Sequence, residues 1–276
     1  MGLSVYNNVE AMNAHRVLTN TNNTLSKSME RLSSGLRINR AADDAAGLAV
    51  SEGMRSQIRG MNVASRNAQD GISMVQVADG ALGSVGDMLQ RVRDLAVQAS
   101  NGTLTNAQRG NLDTEVQQLM TEIGKTGTDT DFNGLKILGG SVATAGTAVT
   151  LQVGANAAQS IAFTIGTVST SDLGISGIAV GTAASATAAI ASLDAAISTI
   201  TTSRANLGSI QNRLEHTINR LGMTSENLQA AESRIRDADM AQEMIKFTKN
   251  QILQQSGTAM LSQANSAPQS VLSLLR

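Results

Sequence analysis

Cysteine and tryptophan are missing from the 276 residues, proline and tyrosine occur once each, and phenylalanine occurs three times. Without cysteine there is no disulfide framework and no thiolate metal site. That leaves open whether the chain has little use for thiols or travels unfolded to its place of work. The lone Pro268 lies near the end, so no earlier residue breaks a helix by lacking an N–H. Charged residues make up only 16% and the formal net charge is −1, which provides no electrostatic pull toward nucleic acid or an anionic membrane; neither is expected as a partner. No apolar run approaches the roughly 20 residues needed to span a bilayer. The opening MGLSVYNNVEAMNAHRVLTN has neither the basic leader nor the apolar core of a secretory signal peptide, so any export is expected to use another route.

What is present is helix-forming. Leu18, Leu25, Met29, Leu32 and Leu36 fall on steps of seven, four, three and four, an a/d seam with Asn22 as its polar member. Val75, Ala78, Leu82, Val85, Leu89, Val92 and Ala96 step alternately by three and four, one narrow seam on a long helix. Asn101-Gly102 supplies a stop, Thr105 can cap a new start, and Leu112, Val116, Leu119 and Ile123 carry a third helix toward residues 124–127. Beyond Lys136 the character changes, with only Asp172 and Asp194 charged before Arg204. There Val149, Leu151 and Val153 alternate with small or polar residues, as do Ile161, Phe163 and Ile165 across GANAAQS, which predicts a β-hairpin. Helix returns near Ala183. Leu207, Leu214, Ile218, Leu221 and Leu228 mark another seam, and a last helical segment runs through Met240, Met244, Phe247 and Leu261 to SVLSLLR. The fold class expected is mainly α: a long helical coiled-coil bundle in which N- and C-terminal segments pair, with a small central β-hairpin region. So weak a seam suits a surface completed by further copies.

Residues 30–61 form the most charged stretch, setting Arg31, Arg37 and Arg40 beside Asp43 and Asp44, then Glu52, Arg55 and Arg59. Adjacent residues on a helix point about 100° apart, so Asp43 and Asp44 do not face one substrate atom and acid/base chemistry is not expected of them. Arg234, Arg236, Asp237 and Asp239 repeat the order of arginines followed by aspartates. The two segments are expected to pair crosswise, within a subunit or between neighbouring subunits, through ion pairs that set register.

Other motifs fail on ligand arithmetic. Asp129-Thr130-Asp131-Phe132-Asn133-Gly134 starts like a calcium loop, but its twelfth position is Gly140 rather than glutamate; a turn into a strand over residues 135–138 is preferred. Gly124-Lys125-Thr126 lacks the upstream glycine of a phosphate loop, which Leu119 replaces. His15 and His216 are the only histidines, and Glu215-His216 belongs to no zinc motif. No cofactor, metal site or catalytic residue is expected.

ERLSSGLRINRAADDAAGLAVSEGMRSQIRG, NAQDGISMVQVADGAL, LQRVRDLAVQASNGT and TDFNGLKIL, then RANLGSIQNRLEHTINRL, ESRIRDADMAQEM and QANSAPQSVLSLLR, resemble in order the terminal regions of bacterial flagellins. The match covers about the first 140 and last 90 residues, by inspection of those motifs. The resemblance implies a subunit that polymerises with itself into the flagellar filament, is exported by the flagellar type III system and works outside the cell. It implies an inner coiled-coil domain (residues 1–42 and 237–276, disordered in the monomer), a helical rod domain (43–136 and 183–236) and a short hairpin insert (137–182). Outer variable domains are expected to be absent. Expected partners are other copies, an export chaperone, and the hook-filament junction and filament cap proteins.

Two sites carry over on the same ground. Gln90, Arg91 and Leu95, with Gln118 at the position that is acidic in some flagellins, match a patch for the animal innate receptor Toll-like receptor 5. A basic anchor beside an apolar one suits such a patch. Residues 237–276 match the chaperone-binding segment, with Met240, Met244, Ile245, Phe247, Ile252, Leu253, Met260 and Leu261 as its apolar face. A hook-filament junction protein has similar termini, and a helical signalling rod shares the composition but predicts a membrane segment and no β insert.

Overall fold

The computed structural model describes residues 7–139 and 148–274, with side chains described through Ser266. Gly140 and the side chains of the closing SVLSLLR lie outside the described residues. The chain is mainly α, in the order α1 (Val9–Ser34), α2 (Ala45–Ser100), α3 (Asn106–Asp129), β1 (Asp131–Phe132), β2 (Leu135–Lys136), β3 (Val149–Gln152), β4 (Ser160–Phe163), α4 (Ala183–Arg236) and α5 (Met240–Leu274). It divides into two compact units: unit 1 comprises Met1–Ser56 and Asn227–Arg276, and unit 2 comprises Gln57–Glu226.

Unit 2 holds the larger core. Every member of the α2 seam from Val75 to Ala96 is buried, and Leu193, Ala196, Ile200, Leu207 and Leu214 of α4 are buried in the same cluster. Asp79 pairs with Arg204 and Arg93 with Asp194, at 2.8 and 2.6 Å. Since the α2 positions rise as the α4 positions fall, the two helices run antiparallel. The first half of α4 is long and apolar enough to cross a membrane by composition alone. Asp194 interrupts it, however, and its buried face supplies the unit 2 core.

The stop and restart around residue 101 form as the side chains dictate. Thr105 caps α3 and completes a capping box with Gln108. Arg109, also buried, donates from Nε to the Ala99 carbonyl and from Nη2 to the Asn101 carbonyl, at 2.8 and 2.9 Å. A guanidinium thereby satisfies carbonyls left open at the end of α2.

The aspartate-rich motif after α3 is a turn. Asn133 and Gly134 have φ of 51° and 79°, the left-handed pair of a two-residue hairpin, and Asp131 Oδ2 accepts the Gly134 amide at 3.2 Å. The following strand is shorter than expected: it stops at Lys136, because Ile137 and Leu138 turn into the core. β3 and β4 form the expected antiparallel hairpin, with Leu151 opposite Ile161. Three glycines let loops approach helices. Gly60 lies against Ala155 and Gly71 against Leu151, while a Cβ on Gly127 would overlap the carbonyl oxygen of Val168.

In unit 1, Asn8 caps α1 by accepting the Ala11 amide, and Gly35 ends it at φ 71°. α1 and α5 run antiparallel, since Ser28 meets Glu243 and Asn8 meets the Ala264 carbonyl. The expected α1 seam is corrected here. The α1 face turned to α5 carries Ala11, Ala14, Leu18, Thr21, Leu25, Ser28 and Leu32, while Asn22 is exposed and Met29 is 57% exposed. Leu36 lies beyond the helix. The apolar count had chosen Met29, but the facing residue is a carboxylate that a hydroxyl suits better. Within the charged stretch, α2 already runs at Ala45 and passes through Gly53.

Gly127→Ala is expected to lower unit 2 stability by about 1–3 kcal/mol, since the obstructing atom is backbone. Gly71→Ala meets only a movable leucine and should cost less. Thermal unfolding of the two variants checks the order.

Candidate assembly surface

The α1–α5 pairing mixes polar and apolar residues inside and leaves large apolar residues outside. The α5 face turned to α1 carries Glu243, Phe247, Asn250, Gln254, Gly257, Leu261 and Ala264. Gly257 admits Leu18 at close range, and Ser28 Oγ donates to Glu243 Oε1 at 2.8 Å. Ser28 and Glu243 are both buried, and Lys246 Nζ lies 3.1 Å from the second carboxylate oxygen. Burial opposes ionisation of Glu243, but the Ser28 hydroxyl, Lys246 and Arg31 together outweigh it and hold the carboxyl below the usual glutamate range.

Many of the large apolar side chains nevertheless point away from that seam. Met240, Met244, Ile245, Ile252, Leu253 and Met260 of α5 are exposed, Ile245 by 69%, as are Val9, Met12, Val17 and Met29 of α1. An apolar groove of about 510 Å³ runs along α5 between Met244 and Leu253. The eight residues expected to form one chaperone face therefore divide. Six face outward, whereas Phe247 and Leu261 lie half-buried toward α1.

The two arginine–aspartate segments do meet, through main chain. Leu36 and Asp237 form an antiparallel bridge; the Arg37 amide donates to the Arg236 carbonyl at 2.7 Å and the Ala238 amide to the Gly35 carbonyl at 2.9 Å. The Arg37 guanidinium donates to the Ile235 carbonyl at 2.6 Å. Within the single chain, Asp43 and Asp44 make no ion pair among the described residues, so the within-subunit form of the expected pairing is replaced by capping. Asp43 Oδ2 accepts the amides of Arg40 and Asn39 at 3.1 and 3.3 Å, and these bonds lower its pKa. Asp44 Oδ1 accepts the Gly47 amide at 2.8 Å, capping the start of α2. Asp239 caps α5 through the amides of Ala241 and Gln242, and Asp237 accepts the Ser233 hydroxyl. Amides a few residues away reach these carboxylates with little chain ordering, which favours capping over a distant guanidinium.

The arginines find glutamates instead. Arg40 pairs with Glu30 at 2.8 Å, Arg236 with Glu52 at 2.8 Å, and Arg55 with Glu52 at 3.1 Å. The Arg236 contact is the largest cause lowering the Glu52 pKa. Arg31 and Arg234 line a recess of about 230 Å³ with Asp237, Asp239 and Lys246. Arg59 belongs to unit 2 and is exposed on α2.

The expected receptor patch is rearranged. Gln90 and Arg91 are exposed on α2, but Leu95 is only 1% exposed and belongs to the unit 2 core. The acidic residue beside Arg91 is Glu115, at 2.8 Å, while Gln118 is exposed one turn further along α3. Among the described residues no group of three or more His, Cys, Asp or Glu could hold a metal ion.

Residues 5–143 match the bacterial flagellin N-terminal helical region, and residues 190–275 match the bacterial flagellin C-terminal helical region. The chain belongs to the bacterial flagellin family. It is 50% identical to the flagellar filament 33 kDa core protein of Treponema phagedenis over 284 aligned residues, covering 99% of each chain. It is also 50% identical to a flagellin of Halalkalibacterium halodurans, again over 99% of each. The two matched regions leave only residues 144–189 between them. The structure of a putative flagellar hook-associated protein from Vibrio parahaemolyticus covers 71% of this chain and all of its own, with a TM-score of 0.58 and 12% identity; that likeness concerns fold alone. Flagellins are structural filament proteins, and the chain is a structural protein rather than an enzyme.

Ser28 and Glu243 were not singled out as functional residues of this flagellin-family chain. Ser28 lies three residues after Leu25 and four before Leu32, so the heptad could have placed it, but its partner lies 215 positions away. The pairings of Glu30, Glu52 and Glu115 are likewise not legible, because spacing does not say which acid a distant arginine reaches.

Because the folded pKa of Glu243 is depressed, its contribution to pairing is fully present above the unfolded glutamate pKa and is lost as pH falls through the folded value. Ser28→Ala should lower hydrogen-exchange protection of α1 and α5 amides near this pair by about 10- to 100-fold. Glu243→Gln should remove the acid-dependent part of that loss, as measured by exchange across the acidic range.

Proposed function

We propose that this chain assembles into the flagellar filament by burying the outward apolar faces of α1 and α5 against other copies. The observation that supports this is the division within unit 1: a mixed seam joins the two helices while Met244, Ile245, Ile252 and Leu253 remain uncovered. Fully burying an isoleucine or leucine side chain contributes about 1.5–3 kcal/mol, so covering these residues adds substantially to association. Contacts that do not close into a ring propagate a filament.

The finer reading follows from the family. The inner domain and rod domain correspond broadly to units 1 and 2, and the chain travels through the growing flagellum by the type III system. A chaperone covers the outward residues of α5 during transit, preventing premature association. Junction and cap proteins bound the polymer at its ends. For Toll-like receptor 5, the accessible surface is the one around Gln90, Arg91 and Glu115, with Leu95 supporting it from beneath. A hook-filament junction role is disfavoured by the full-length identity to filament proteins.

Purified chain should lengthen flagellar filament seeds at neutral pH, followed by light scattering and electron microscopy. Ile252→Asp should abolish elongation while leaving the melting temperature of unit 2 unchanged. Elongation by that variant at the normal rate would remove the α5 face from the assembly surface.

A further inference from the structure

The methionines are distributed unevenly. In unit 2, Met61, Met74 and Met120 are at most 7% exposed. In unit 1, Met12, Met29, Met240, Met244 and Met260 are 46–68% exposed, on the two helices whose outward faces carry assembly. With no cysteine in the chain, these thioethers are the exposed sulfurs among the described residues of unit 1, where Met54 is half-buried. Met223, 62% exposed in unit 2, offers an internal comparison.

We propose that these five methionines form an oxidant-sensitive modification site through which a peroxide switches the free subunit to an assembly-incompetent form. This inference rests on the assembly reading above. With hydrogen peroxide, a sulfur lone pair attacks one peroxide oxygen. The S–O bond forms as the O–O bond breaks, and the departing hydroxide takes the proton left on the transferred oxygen. The products are methionine sulfoxide and water; sulfur is oxidised by two electrons and the peroxide is reduced by two. The new sulfoxide oxygen is a hydrogen-bond acceptor on a surface that assembly must dry, and burying an unsatisfied polar group is costly. Subunits already in the polymer have these sulfurs covered, so the modification acts on free chains and leaves existing filament intact. Methionine sulfoxide reductases reverse it.

The test treats full-length monomer with hydrogen peroxide, maps sulfoxides by peptide mass spectrometry and measures seeded elongation. The five unit 1 methionines should oxidise before Met61, Met74 and Met120, and the critical concentration should rise about tenfold or more. Preformed filament should resist oxidation at the same five positions. A chain carrying Met12→Leu, Met29→Leu, Met240→Leu, Met244→Leu and Met260→Leu should elongate after peroxide, whereas Met223→Leu should give no protection. Reductase treatment of oxidised wild-type chain should restore elongation, a measurement independent of how the leucine chain folds. Normal elongation by wild-type chain carrying all five sulfoxides would overturn the gate alone. Failure of untreated wild-type chain to elongate would overturn the assembly reading and the gate with it.

Discussion

Much of this molecule follows from one constraint: α1 and α5 meet through a seam with too few large apolar residues to hold by burial alone. Leu18, Leu25, Leu32, Phe247 and Leu261 are half-buried there among serine, threonine, asparagine, glutamine and glycine. Ser28 and Glu243 supply direction and register rather than bulk, as a buried polar pair in a coiled coil does. The energy missing from the seam sits on the opposite faces, where more than one chain is needed to release it. A monomer arranged this way is incomplete by composition, and completion is what a polymer provides.

Unit 2 solves the opposite problem. Its α2 and α4 seams are dry and continuous, its exposed ion pairs lie at the periphery, and glycines allow hairpin and loop backbones to lie against helices. Such ion pairs add little stability; they select one antiparallel alignment among several that a seam of alanine, leucine and valine would tolerate. The same chain thus carries a self-sufficient body and a dependent one, distinguished by where its large apolar residues point.

Periodicity, with the stop and cap signals around residue 101, located the helices of the described residues, the β3–β4 hairpin and the unit 2 seam, because those rest mostly on repeating apolar contacts. It misplaced what rests on single polar contacts. Leu18, Leu25 and Leu32 belong to either of two heptad phases, and the choice between Ser28 and Met29 depends on a glutamate more than 200 positions away. Asp43 and Asp44 read as partners for arginines because charge is visible in sequence, whereas nearby amides in need of an acceptor are not. Leu95 read as a surface anchor, although it sits three residues after the seam member Val92 and the α2 periodicity assigns it to the inward side.

The bridge between Leu36 and Asp237 also has a consequence in time. A ribosome finishes the first strand of that bridge some two hundred peptide bonds before it makes the second. Throughout that interval the connector after α1 has no main-chain partner, and α1 has no α5. The start of the chain is therefore obliged to wait for its end. Synthesis order itself keeps unit 1 unfinished until α5 has been made.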